Sequence, residues 1–254
     1  MTMPVESAGS LRKSGWRAAF GALVLLAACG GGMDADNGVE ASADSPLVRS
    51  AHDVDQTPIS SNLLLNASFD ERGTLGVLPT APGNWRGDLA TNVPTELGIV
   101  PHHGTTMLKF LATGTSPSAA GLTSKQWQVV DLSAYVDAIA AGHVRAEVSA
   151  WFNRINTGAR TDRRLDLRLM AFDAQAHDLP TRYLASRWLA EATTPLVGAA
   201  SQWQQLVASL VLPPATTLVL VEVQASEDVF NDDSGPEFDG HYVDDTSLFL
   251  TGPR

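Results

Sequence analysis

The sequence predicts an all-β fold, an antiparallel β-sandwich with one short helix, and three observations point there. Several segments of the C-terminal three quarters alternate apolar and polar residues with period two. Gly, Pro, Asn and Asp punctuate the chain between them. A helical look is confined to Leu132–Ala141, which Gly142 closes. Alternation of this kind marks strands with one buried face. Many short strands separated by turn residues make a sandwich or jelly roll.

In His143–Asn153 the residues Val144, Ala146, Val148, Ala150 and Phe152 share one face, and Arg145, Glu147, Ser149, Trp151 and Asn153 share the other. Leu165, Leu167, Leu169 and Ala171 alternate with Asp166, Arg168, Met170 and Phe172. Leu206, Ala208, Leu210 and Leu212 repeat the rhythm until Pro213-Pro214 stops it. Thr217–Ala225 and Tyr242–Leu250 read as two further strands, rich in Val, Leu and Phe. The 194 residues from Ser61 onward suffice for one domain with a sizeable core, which at this size buries roughly 70% of its chain surface.

Residues 1–28 read as a leader. Arg12, Lys13 and Arg17 precede the apolar run Ala18–Ala28, which ends in small residues just before Cys29. A positive start, an apolar core of about 7–15 residues and a small-residue end define a secretory signal; a membrane-spanning helix needs roughly 20 apolar residues. Leu26-Ala27-Ala28-Cys29 resembles the bacterial lipobox, which implies a lipidated Cys29 as first residue of the mature protein. The plainer alternative is an ordinary cleaved signal followed by a chance cysteine. Gly30-Gly31-Gly32 then gives a flexible tether. Residues 33–60 are rich in Asp, Ser, Ala and Pro without periodicity and read as linker. The lipobox resemblance implies a bacterial envelope location, and Gly30 after the cysteine implies the outer membrane.

Removing residues 1–28 takes three basic residues and Glu6 from the chain's 17 Lys+Arg and 28 Asp+Glu, leaving 14 against 27, or −13. That balance argues against nucleic acid, whose binding needs clustered Lys and Arg. It also argues against docking on anionic lipid through a basic patch, so membrane contact is expected through the anchor alone. With one cysteine in the chain no internal disulfide can form. The G-x-S-x-G, H-E-x-x-H, P-loop and dinucleotide signatures are absent, so an enzyme is not expected. A glycan hydrolase with an unrecognised carboxylate pair is the alternative that the many acids leave open.

Asn62-Leu63-Leu64-Leu65-Asn66-Ala67-Ser68-Phe69-Asp70, followed by Gly83-Asn84-Trp85, resembles the first strand of carbohydrate-binding modules with the galactose-binding-like jelly roll. Tyr242-Val243-Asp244-Asp245-Thr246-Ser247-Leu248 is similar to their last strand. Gln126–Leu132, Ala150–Arg154 and Phe238–Tyr242 also resemble, in matching order, the sugar-recognising domain of F-box proteins that bind glycoproteins. The resemblance implies that the domain binds carbohydrate or a glycoconjugate without turning it over. A structural or protein-interaction role in the envelope is the rival, since one fold serves many functions.

Three candidate sites follow. The module family implies a structural calcium held by Asp70 and Asp245, with Asp244 beside them; the plainer reading makes Asp70 a turn cap and the others solvated strand-end charges. Ca²⁺ would take six to eight oxygen ligands. The F-box family implies an aromatic platform at Phe238, flanked by Glu237 and Asp239, within the acidic loop 227–239. A groove-type module would instead use Trp151, which stands on the polar side of its strand. Trp85 and Trp127 match core positions, and Trp188 and Trp203 carry no assignment. His102-His103, between Pro101 and Gly104, reads as a solvated turn.

Overall fold

The computed structural model describes residues 56–112, 123–155, 163–196, 201–227 and 240–253. The chain divides into the units Met1–Val48 and Arg49–Arg254, and every described residue belongs to the second. Its strands are β1 (Gln56–Pro58), β2 (Thr74–Leu75), β3 (Arg86–Gly87), β4 (Leu89–Val93), β5 (Met107–Ala112), β6 (Thr123–Asp131), β7 (Arg145–Arg154), β8 (Arg163–Phe172), β9 (Ala190–Leu196), β10 (Gln204–Val211), β11 (Leu218–Glu227) and β12 (His241–Pro253). Two short helices join them, α1 (Val136–Ala140) and α2 (Leu179–Leu184), each preceded by one 3₁₀ turn. None is long and apolar enough to cross a membrane.

The first sheet runs β10-β7-β12-β5-β4, with β1 also paired to β12; the second runs β2-β3-β6-β11-β8-β9. Every ladder is antiparallel except the short β2–β3 pair. The expected β-sandwich is therefore the fold. The faces follow the alternation read from the sequence: Val148 and Phe152 of β7 meet Leu167 of β8 and Val221 of β11 in one core, with Trp85 fully buried among them. Gly87 lets β3 lie flush on β6, because a Cβ there would run into the Lys125 carbonyl.

Three expectations need correction. The stretch 62–70 forms no regular strand; it follows β12 through Leu63 N to Leu248 O and through Asn62, whose amide nitrogen donates to Thr246 O and whose oxygen accepts from Leu248 N. The regular pairing lies earlier, at Gln56–Pro58, inside the stretch read as linker. A second helix, α2, joins the expected one. Its sequence, LPTRYL, is too short to show helical periodicity, but Pro180 suits a first helical turn.

Candidate functional site

The central strand of the second sheet determines the character of its outer face. Val219, Val221, Val223 and Ala225 of β11 point into the core, so Leu218, Leu220, Glu222, Gln224 and Ser226 point outward. That outer face divides in two. At one end Leu218 and Leu220 join Val129, Met170, Phe172 and Leu179 in a second apolar cluster roofed by α2. At the other end every outward residue of β11 is polar, and so are most of its neighbours. Lys125 and Asp166 stand opposite Gln224, and Trp127 and Arg168 stand opposite Glu222.

Glu222 is fully buried and holds this half together. Its carboxylate accepts from Trp127 Nε1 at 2.7 Å, from the Tyr183 hydroxyl at 2.6 Å and from Arg168 Nη1 at 2.9 Å. Lys125 Nζ lies 3.7 Å from it and donates to the Tyr183 hydroxyl at 3.0 Å. Arg168 also grips Glu191 Oε1 through Nε and Nη2, at 2.9 and 2.7 Å, and lies 5.8 Å from the centre of the Trp188 ring. Burial works against the Arg168 charge, but Glu222 and Glu191 outweigh it and hold the guanidinium above its ordinary value. Burial, with the Glu222 charge behind it, raises the Tyr183 hydroxyl. In the next row buried Asp166 accepts from Arg164 Nε at 3.0 Å and from Gln224 Nε2 at 3.1 Å, while Gln224 also bonds Ser226.

The result is a floor of paired charges, two cations against two anions around Glu222 and one against one around Asp166. Half-buried Trp188 and Tyr183 stand beside it. Such a floor is formally neutral, offers fixed donors and acceptors, and has aromatic rings at its side. Both carboxylates around Arg168 are engaged, and Glu222 has no exposed surface.

Trp127, expected in the core, is buried but belongs to this outer face. Lys125, Arg168, Tyr183, Trp188 and Glu222 were not singled out from the sequence. A signal existed: Glu222 is a lone charge inside the apolar run Leu218–Ala225, and such a residue in a central strand needs buried partners.

The residues expected at the other sites lie elsewhere. Phe238, Glu237, Asp239 and Cys29 fall outside the described residues, as do the leader and the linker up to residue 55. Trp151 stands on the outer face of the first sheet as its register required, opposite Asp244. One face of its ring is covered by His102, stacked at 4.1 Å and 18°. Trp203 meets His102 edge-on and donates from Nε1 to Val100 O, so these rings fasten the 97–106 loop to the sheet.

Asp70, Asp244 and Asp245 surround the same loop in separate roles. Asp70 accepts from the Thr105 amide and hydroxyl, both at 2.7 Å, from the Thr106 amide and from the Ser68 hydroxyl. Gly104 (φ 68°) is required there twice over: its backbone is left-handed, and a Cβ would strike the Asp70 carboxylate. Asp244 accepts from the amides of His103 and Asp245, and Asp245 Oδ2 lies 3.0 Å from His102 Nδ1. Among the described residues no group of three or more His, Cys, Asp or Glu could hold a metal ion. The expected calcium trio is thus not gathered into one ligand set.

Burial raises Asp244 to about 6 despite its amide donors. The native chain therefore holds this proton more tightly than the unfolded one, and stability falls as pH rises from about 4 to about 6. Asp70 acts with the opposite sign: hydrogen bonds from Thr105 and Ser68 hold it well below the carboxylate range, so its contribution is full above about pH 4 and is lost progressively as pH falls below that. Urea denaturation across this pH range should show the decline in the wild type and a flatter profile in Asp244→Asn. A slope that the variant leaves unchanged assigns the effect to another group.

Comparison with known proteins gives likenesses of fold. No family model matches the chain, and no curated protein matches it. Among solved structures, it is similar to the enzymatically active domain of tailspike protein 4 of bacteriophage CBA120, at 13% identity and TM-score 0.43, covering 74% of this chain and 21% of that one. It is similar to the CBM22-2 xylan-binding domain of Paenibacillus barcinonensis Xyn10C, at 19% identity and TM-score 0.38, covering 66% and 91%. A family 16 carbohydrate-binding module shows 13% identity and TM-score 0.35, covering 63% and 84%. The chain thus spans about a fifth of the tailspike chain and most of the two modules. At these scores the likenesses carry no functional argument, which rests on the side chains.

Proposed function

We propose that this chain is a lipid-anchored envelope protein whose sandwich binds carbohydrate without chemical turnover, on the polar half of the second sheet's outer face. The observation that carries the reading is the neutral floor of paired charges beside Trp188 and Tyr183. Neutral sugars offer many hydroxyls and present C–H faces that lie against aromatic rings. Binding sites combine such apolar surface with a few fixed polar groups. Residues locked by one another lose little freedom when a ligand arrives, which favours affinity. The engagement of Glu222 and Glu191 by Arg168 supports binding over hydrolysis, because a general acid or base needs a carboxyl free to face the substrate.

Titration of residues 49–254 against a panel of neutral and acidic polysaccharides tests the reading. Saturable binding of neutral glycans is expected. A folded domain that binds none of them leaves a structural or protein-interaction role. The anchor is tested separately by labelling growing bacterial cells with a radioactive fatty acid. Label and membrane retention should both be lost in Cys29→Ser; a variant that keeps its label contradicts lipidation at that residue.

A further inference from the structure

Beside this face, where the chain crosses from the second sheet to the first between β3 and β4, the sandwich has a small polar pocket whose Asp88 bonds the Lys125 backbone. Its volume is about 160 Å³. The polar residues Thr74, Asp88, Thr91, Asn92 and Gln126 line it, together with the apolar Leu108 and Ala90. Several of these groups are fixed. Asp88 N donates to the Lys125 carbonyl at 2.8 Å, its Oδ2 accepts from the Lys125 amide at 2.9 Å, and its carbonyl accepts from Gln126 Nε2 at 2.6 Å. Asn92 is held by the carbonyls of Phe69 and Glu71.

The volume limits the occupant. Small-molecule sites run from about 300 to 1,000 Å³, and a pocket half the smallest of these holds one six-membered ring or on the order of five waters. The charge limits it too. Asp88 and Arg72 line it with one charge of each sign. Burial disfavours the Asp88 charge, which makes a second anion there unwelcome. A lining of mixed polar and apolar residues suits a ring with hydroxyls around its edge and C–H bonds on its face.

We infer that this pocket is a binding site for a single neutral sugar residue, distinct from the outer-face surface that it adjoins at Lys125. The inference takes its choice of probe from the proposed carbohydrate function but not its geometry. The test is amide chemical-shift mapping of residues 49–254 with D-glucose, D-galactose, D-xylose and L-arabinose as free monosaccharides. Saturable shifts are expected at Ala90, Thr91 and Gln126 with at least one of them. Ala90→Leu, which narrows the pocket, should weaken that binding at least tenfold, and Asp88→Asn, a milder change, should weaken it in the same direction. Trp188→Ala should leave it unchanged. Absence of shifts at these amides with every probe overturns the inference, as do shifts that follow Trp188 instead of Ala90. Monosaccharide binding here, in a domain that binds no polysaccharide on its outer face, upholds the pocket and contradicts the surface proposed above, so the two can fail independently.

Discussion

Glu222→Ala will destabilise the domain by about 3–5 kcal/mol, the usual cost of removing one partner from a buried ion pair. The substitution strands several groups together: Arg168 Nη1, Trp127 Nε1 and the Tyr183 hydroxyl each lose their acceptor, and Lys125 loses the nearby charge. At roughly 2–4 °C per kcal/mol for a domain of this size, the melting temperature should fall by roughly 6–20 °C. The partner substitution separates charge from packing. Because well-packed apolar residues often replace a buried ion pair without loss, Glu222→Leu with Arg168→Leu should recover part of what Glu222→Leu alone costs. Urea denaturation of the two single variants and the double variant gives the coupling directly. A loss below about 1 kcal/mol in Glu222→Ala contradicts the hub.

Trp188→Ala will weaken glycan binding at least tenfold, about 1.4 kcal/mol, while costing less stability than Glu222→Ala. Trp188 is half-buried and lies beside Arg168 at the rim of the paired charges, so it combines exposed ring surface with a cation held in place. Trp and Arg are the residues on which binding energy most often concentrates. Arg168→Lys should also weaken binding. It keeps the charge but loses the fork that spans Glu191 and Glu222, and lysine does not replace that geometry. Isothermal titration with any glycan bound by the wild type measures both. Unaltered affinity in a folded Trp188→Ala places the binding surface elsewhere.

The sandwich was legible because its main strands carry one apolar face each. In β7, β8 and β10 alternation alone assigns the core side of every residue from Ala146 to Leu210 that the two sheets share. Where both faces are covered that signal weakens. β11 reads as nearly continuous Leu and Val because α2 roofs the outer side of Leu218 and Leu220, and a six-residue helix leaves no periodic trace. β4, β5, β6 and β9 carry no such alternation; in β6 Gln126 and Gln128 occupy buried positions, and in β9 Thr193 and Thr194 interrupt the run. The candidate site was less legible than the fold. Its residues lie far apart in sequence, at 125, 168, 183, 188 and 222, and only the register of three strands and the placement of α2 brings them together. Trp151 shows the converse: its polar-side position was read correctly, but the stacking of His102, 49 residues away, could not be seen in the alternation of one strand.

Mapping a bound neutral oligosaccharide on the domain by amide and indole chemical shifts tests the central claim most directly. Shifts centred on Lys125, Arg168, Trp188 and Gln224, with the Trp188 indole among the largest, are the predicted result. Shifts centred on Trp151, His102 and Trp203, with the second sheet's outer face unmoved, would contradict it.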